Sequence, residues 1–108
     1  MPRELLDAAE IESGLSSLSA GWTGSTESLK RSIEFADFQT AADFVSGLAP
    51  VCEELDHHPD LALRWRWVDI ELSTHSAGGV TALDLQLAGE IDEVASALPK
   101  ASDEPAAD

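Results

Sequence analysis

In Leu29-Lys30-Arg31-Ser32-Ile33-Glu34-Phe35, residues 29, 31, 33 and 35 alternate with Lys30, Ser32 and Glu34. A period of two predicts a strand with one mostly buried face. Immediately behind it the period changes. Ala41, Phe44, Val45, Leu48, Cys52 and Leu55 form an apolar stripe at helical spacing, and Asp37 is placed to cap the helix start. Pro50 lies inside that stripe. It lacks a backbone donor, so a kink or an early end is expected there.

Outward from this strand–helix pair, residues 3–18 place Leu5, Ala8, Ile11, Leu15 and Leu18 at roughly helical spacing, which Gly14 weakens. Gly21-Trp22-Thr23-Gly24 reads as a turn entering a strand. After His57-His58-Pro59, residues 63–74 read as one strand. Val68, Ile70 and Leu72 share one of its faces; Trp65, Trp67, Asp69 and Glu71 share the other. Ser76-Ala77-Gly78-Gly79 is a loop, and Thr81 opens a third helix with Leu83, Leu87, Ile91, Val94 and Leu98 as its stripe. Leu85 lies off that stripe, a candidate subunit contact. Consecutive strands joined by short turns predict an α+β layer, an antiparallel sheet with helices packed on one face. Residues 1–100 are expected to form one domain and residues 101–108 a disordered acidic tail.

The chain has 108 residues and an apolar fraction of 44%, enough for a core that buries roughly two-thirds of the unfolded surface. No apolar run approaches the roughly 20 residues of a membrane span, and the N-terminus shows no signal-peptide pattern, so a cytoplasmic location is expected. The lone cysteine, Cys52, rules out an internal disulfide and Cys-rich zinc motifs. On the helical stripe it reads as a small buried apolar residue. The formal net charge is −15, with 21 acids against 6 bases. Such a surface repels phosphate backbones, so nucleic acid is not expected as a partner.

All three histidines fall in one window: Glu53-Glu54-Leu55-Asp56-His57-His58-Pro59, Trp65, Ser73-Thr74-His75, then Asp84. Imidazole is the side chain best suited to moving protons near neutral pH. Glu53 and His57 are four apart at a helix end, one face if helical geometry persists. The alternative is a solvated acidic helix end followed by a turn with two surface histidines. His75 closes a strand before a Gly-rich loop, a common place for site residues. Thr81-Ala82-Leu83-Asp84 fits a helix-capping pattern, so Asp84 either caps only or also serves a site. His pairs at the i, i+2 or i, i+4 spacing of zinc sites are absent, and no metal is expected. No G-x-S-x-G elbow accompanies Ser73 or Ser76, which argues against a serine nucleophile.

The spacing of Glu53, His57-His58-Pro59, Trp65, His75 and Asp84 resembles the signature of pterin-4a-carbinolamine dehydratases. Gly21-Trp22, Phe35-Ala36-Asp37-Phe38, Leu72-Ser73-Thr74-His75 and Asp84-Leu85-Gln86-Leu87-Ala88 extend the likeness over about residues 4–98. The resemblance implies three helices on one face of a four-stranded antiparallel sheet, assembled as a homodimer or homotetramer. It implies a lyase that eliminates water from 4a-hydroxytetrahydrobiopterin to give quinonoid dihydropterin, with no cofactor and a pterin as the small-molecule substrate. His57, His58 and His75 would be the catalytic acid/base groups. Glu53 and Asp84 would orient them or the substrate, and Trp22 would pack on the pterin or wall the pocket. Trp65 fills the signature's aromatic position, where packing or a subunit contact is its expected role. Two other readings keep the fold: a non-catalytic binding partner or dimerisation cofactor, and a pterin enzyme in molybdopterin-linked metabolism.

The acidity, with only Lys30 and Lys100 as lysines, also resembles proteins adapted to high salt. Screening by salt relieves self-repulsion among exposed carboxylates. The melting temperature followed by circular dichroism is therefore expected to rise from dilute buffer to molar salt. Full stability in dilute buffer would remove the halophilic reading.

Overall fold

The computed structural model describes residues 4–103, and residues 104–108 of the expected tail lie outside the described residues. The order is α1 (Ala8–Leu15), β1 (Thr23–Gly24), β2 (Leu29–Glu34), α2 (Phe38–Leu55), β3 (Asp60–Arg64), β4 (Trp67–Leu72) and α3 (Ala82–Ser96), closed by a 3-10 turn at Ala101–Asp103. The strands form one antiparallel sheet in the order β1-β2-β4-β3. β2 and β3 both run antiparallel to β4, hence parallel to each other, so α2 is the crossover between them.

Register decides which side chains are buried. Leu29 faces Leu72, Arg31 faces Ile70 and Ile33 faces Val68. That face carries the core, where Phe44, Leu48 and Cys52 of α2, Leu87, Ala88 and Ile91 of α3 and Ile11 of α1 pack on the sheet. The opposite face is polar, with Lys30 beside Glu71 and Ser32 beside Asp69. Asp69 takes a two-pronged bond from Arg64 at 2.6 and 3.0 Å and a third from Ser32 at 2.7 Å. The Arg64 and Ser32 bonds hold its carboxyl down at about 2. Cys52 is buried as its position on the stripe predicted, and burial pushes its thiol up.

Three expectations are revised. The first helix is shorter than residues 3–18. Asp7 and Glu10 form a reciprocal capping box that starts it at Ala8, and Leu5 instead bridges to Thr81. Pro50 does not end α2, which continues to Leu55 with the proline exposed. Residues 63–74 are not one strand. Trp65 and Arg66 form a tight turn between β3 and β4, Trp65 with φ 53, a rare conformation for a bulky residue. Arg66 secures this turn. Its guanidinium stacks 4.5 Å from the Trp65 ring, it pairs with Glu34 at 2.8 Å, and its carbonyl accepts the Phe35 N–H at 2.8 Å.

Gly14, which weakened the first helix in sequence, permits a close approach. A Cβ there would lie 2.4 Å from Leu85 Cδ1, so Leu85, off the α3 stripe, packs on α1. Among the described residues no helix is long and apolar enough to cross a membrane.

Phe44 is fully buried, with its ring centroid 4.9 Å from that of Phe35. Phe44→Ala is expected to cost about 3–5 kcal/mol, through lost transfer energy plus a residual cavity. The readout is a lower urea midpoint at unchanged slope.

Candidate active site

The site begins where α2 stops. Asp56 takes the left-handed conformation, φ 51 and ψ 43, and its N–H bonds the Glu53 carbonyl at 3.2 Å. The His57 N–H reaches back to the Cys52 carbonyl at 3.1 Å. This Schellman closure reverses the chain. Asp is among the few non-glycine residues that adopt this conformation readily, so the stop is set at Asp56, ahead of Pro59. The turn sends His57 inward, where it is 7% exposed, and leaves His58 in solvent.

The opposing wall comes from the end of β4. The inward register of Val68, Ile70 and Leu72 continues to Thr74, which is buried, while His75 is exposed. A loop returns to the sheet at Gly79, where Thr74 and Gly79 form a bridge closed by a 2.9 Å bond from Thr74 N–H to the Gly79 carbonyl. Asp56, His57, His58, Ser73, Thr74, His75 and Ser76 line the resulting cleft of about 280 Å³. All three histidines therefore meet on one surface, although His57 and His58 follow α2 and His75 follows β4.

Each of the first two histidines is held by a carboxylate, in contrasting surroundings. His57 Nε2 lies 2.6 Å from Asp84 Oδ1, with Asp84 fully buried. An ionised carboxylate only accepts, so His57 donates from Nε2 and leaves Nδ1 as its other ring nitrogen. Oδ2 of Asp84 accepts from the Thr74 hydroxyl at 2.8 Å and the Thr81 N–H at 2.9 Å. The capping box read in the sequence is present, and the same carboxylate also serves His57. His58 Nε2 lies 2.5 Å from Glu53 Oε2, with both side chains more than half exposed. Glu53 thus pairs with His58 rather than with His57, because the reversal at Asp56 breaks the i, i+4 relation.

Trp22 stands apart from the cleft. It is buried in the core, and its indole N–H donates to Asp92 Oδ1 at 2.8 Å, beside the direct Arg31–Asp92 ion pair. Trp65, exposed in its turn, is likewise absent from the cleft lining. Thr74 and Thr81 were not singled out as site residues in the sequence. The available signal was the inward register 68, 70, 72, 74, which places a hydroxyl in the core, where it needs a partner. Among the described residues no group of three His, Cys, Asp or Glu side chains is arranged to hold a metal ion.

The two carboxylate–imidazole pairs should differ sharply in energetic weight. Asp84→Ala removes the Asp84 half of the α3 capping box, leaving Thr81 as N-cap, and strips His57 and Thr74 of a buried partner, so a loss of about 3–5 kcal/mol is expected. Glu53→Ala breaks an exposed pair, expected to cost less than about 1 kcal/mol. Denaturant titration of both variants checks the contrast, and equal losses would contradict the burial argument.

The pattern of the pterin 4 alpha carbinolamine dehydratase family matches residues 4–94. The chain is similar to a provisionally named pterin-4-alpha-carbinolamine dehydratase of Roseiflexus castenholzii, 43% identical over 83% of this chain and 96% of that protein. A relative in Mycobacteroides abscessus carrying the same provisional name is 46% identical, over 82% of this chain and 93% of its own length. Among solved structures, a Brucella melitensis protein described as a transcriptional coactivator/pterin dehydratase superposes with a TM-score of 0.79 at 38% identity, covering 83% of this chain and 97% of that one. A pterin dehydratase-like protein identified as a RuBisCO assembly factor in the alpha-carboxysome shares the fold alone, at TM-score 0.57 and 23% identity, over 68% of this chain and 86% of its own. The fold, the match along residues 4–94 and relatives above 40% identity agree: this chain belongs to the pterin 4 alpha carbinolamine dehydratase family.

Proposed function

We propose that this protein eliminates water from 4a-hydroxytetrahydrobiopterin by histidine-based general acid–base catalysis, giving quinonoid dihydropterin in tetrahydrobiopterin recycling. The observation that carries the reading is the convergence of His57, His58 and His75 on one cleft, two of them backed by carboxylates. An acid protonates the 4a-hydroxyl, and the carbon–oxygen bond breaks to release water. A base takes a ring N–H proton, and the electron pair left behind becomes the new carbon–nitrogen double bond. The balance needs two proton-transfer groups and no electron acceptor. Imidazole can serve in either role near neutral pH. His57, with Nε2 committed to Asp84, keeps Nδ1 for proton transfer; His58, with Nε2 committed to Glu53, keeps its own Nδ1. His75 is exposed at the cleft wall and faces both the cleft and an adjoining polar trough of about 410 Å³ that contains Lys30, Asp60 and Glu71. Asp84 and Glu53 act by orienting the rings. Trp22 supports the sheet from the core in this reading.

The competing reading is a partner-binding protein on the same fold, favoured by the coactivator description of the Brucella melitensis structure. The His57–Asp84 pair serves the architecture in either reading, but a binding role alone supplies no reason for three histidines to converge on one cleft.

The test is the ultraviolet decay of 4a-hydroxytetrahydropterin generated in situ, at low and molar salt, with and without the protein. Faster decay is expected, falling by about 10²–10⁴-fold in kcat for His75→Ala and for His58→Ala, since a general acid or base contributes about that much. Both variants should retain the wild-type circular dichroism spectrum, because both side chains are exposed. No acceleration by folded protein in either salt would overturn the enzyme reading in favour of the binding partner.

A further inference from the structure

We propose that Thr74 is a positioning residue for two of the three cleft histidines, acting on His57 through its hydroxyl and on His75 through its backbone. The kinetic part of this inference rests on the dehydratase reading; the structural part does not.

The hydroxyl sits in a chain whose proton directions are determined. Asp84 Oδ2 can only accept, so Thr74 donates to it, at 2.8 Å. Having used its one proton, Thr74 Oγ1 must accept from Thr81 Oγ1, also at 2.8 Å. Thr81 Oγ1 in turn accepts the Leu83 N–H at 3.3 Å. The chain therefore runs from the first turn of α3 through Thr81 and Thr74 to Asp84, and from the other oxygen of Asp84 to His57. Thr74 and Asp84 are 1% and 0% exposed, so water cannot replace a missing member without opening the core. Without the Thr74 hydroxyl, Oδ2 keeps only the Thr81 N–H, and the carboxylate is held less firmly in the orientation that meets His57.

The backbone of Thr74 ties the loop that carries His75. Its carbonyl accepts from Ala77 N at 2.9 Å and Gly78 N at 3.0 Å, and its N–H bonds the Gly79 carbonyl. Gly79 packs closely on the Thr26 backbone, since a Cβ there would lie 2.5 Å from the Thr26 carbonyl oxygen, so no larger residue fits. Side chain and backbone of one residue thus join the two walls of the cleft. A serine would preserve both functions, whereas a valine of nearly the same shape would preserve only the backbone one.

The experiment compares Thr74→Val with Thr74→Ser. The Nε2 proton of His57 is nearly excluded from solvent and bonded to a buried carboxylate, so it should give a slowly exchanging downfield proton resonance, assigned by its loss in His57→Gln. We expect Thr74→Ser to keep that resonance and most of the activity. Thr74→Val should displace or lose the resonance and lower kcat about 10–100-fold with KM changed less than about two-fold, as for a misaligned catalytic group. If circular dichroism shows that Thr74→Val does not fold, Thr74→Cys, with a weak donor of similar size, takes its place, with a displaced resonance and reduced kcat expected. A folded Val or Cys variant with an unmoved resonance overturns the proposal, and so does a folded Val or Cys variant whose kcat equals wild type. If wild-type protein fails to dehydrate the carbinolamine, the dehydratase reading falls, and the resonance in the ligand-free protein decides the role of Thr74 alone.

Discussion

The arrangement depends on one fully buried carboxylate. Asp84 lies in the first turn of α3, and a charge in that position is tolerable only when its oxygens are bonded. Oδ1 takes His57, and Oδ2 takes Thr74 and the Thr81 backbone. These partners come from three places: the reversal after α2, the end of β4 and the cap of α3. The helix N-terminus adds a favourable dipole for the anion. The requirement to satisfy one charge thus holds together the segments that form the cleft walls.

A second carboxylate on the same helix carries a purely architectural load. Asp92 lies eight residues farther along α3, about 12 Å by helical rise. It accepts from Trp22, Arg31 and the Ser19 backbone, joining α3 to β2 and to the connection after α1. Arg31 stands on the core face of β2 among apolar neighbours, and this pairing is what makes its burial acceptable. The two acids divide the helix: its beginning organises the cleft, and its later turns lock the sheet and the N-terminal helix.

The sheet order gives the cleft its location. With β4 central between β2 and β3, the end of β4 is delivered beside the chain that leaves α2. The crossover helix and the hairpin after it place His57-His58 and His75 on adjoining walls. The tight turn at Trp65 and Arg66 is essential to this layout, since without it β3 and β4 would be a single strand and the sheet would lose its edge. Its stability rests on Arg66, which contacts Trp65, Glu34 and Phe35 together.

Much of this was legible in the chain. Period-two alternation over 29–35 and 68–72, helical stripes over 41–55 and 83–98, and the caps Asp37 and Thr81 are local signals, and the elements they predict are present. The clustering and spacing of Glu53, His57, His58, His75 and Asp84 pointed to the family and to the cleft. Other features were hidden, for physical reasons. The turn at Trp65-Arg66 carries no glycine, proline or asparagine, because a stacking interaction with Arg66 and tertiary contacts to β2 hold it. The exchange of partners, Glu53 to His58 and Asp84 to His57, follows from the left-handed residue Asp56, whose conformation depends on how the chain must turn to reach β3. Gly14 lowers local helix propensity, and only the packed structure brings Leu85 against it. Local pattern determined the elements and the chemical inventory of this protein. Only the tertiary structure decided which carboxylate holds which imidazole, because those bonds join residues whose neighbourhood exists only once the sheet and helices are assembled.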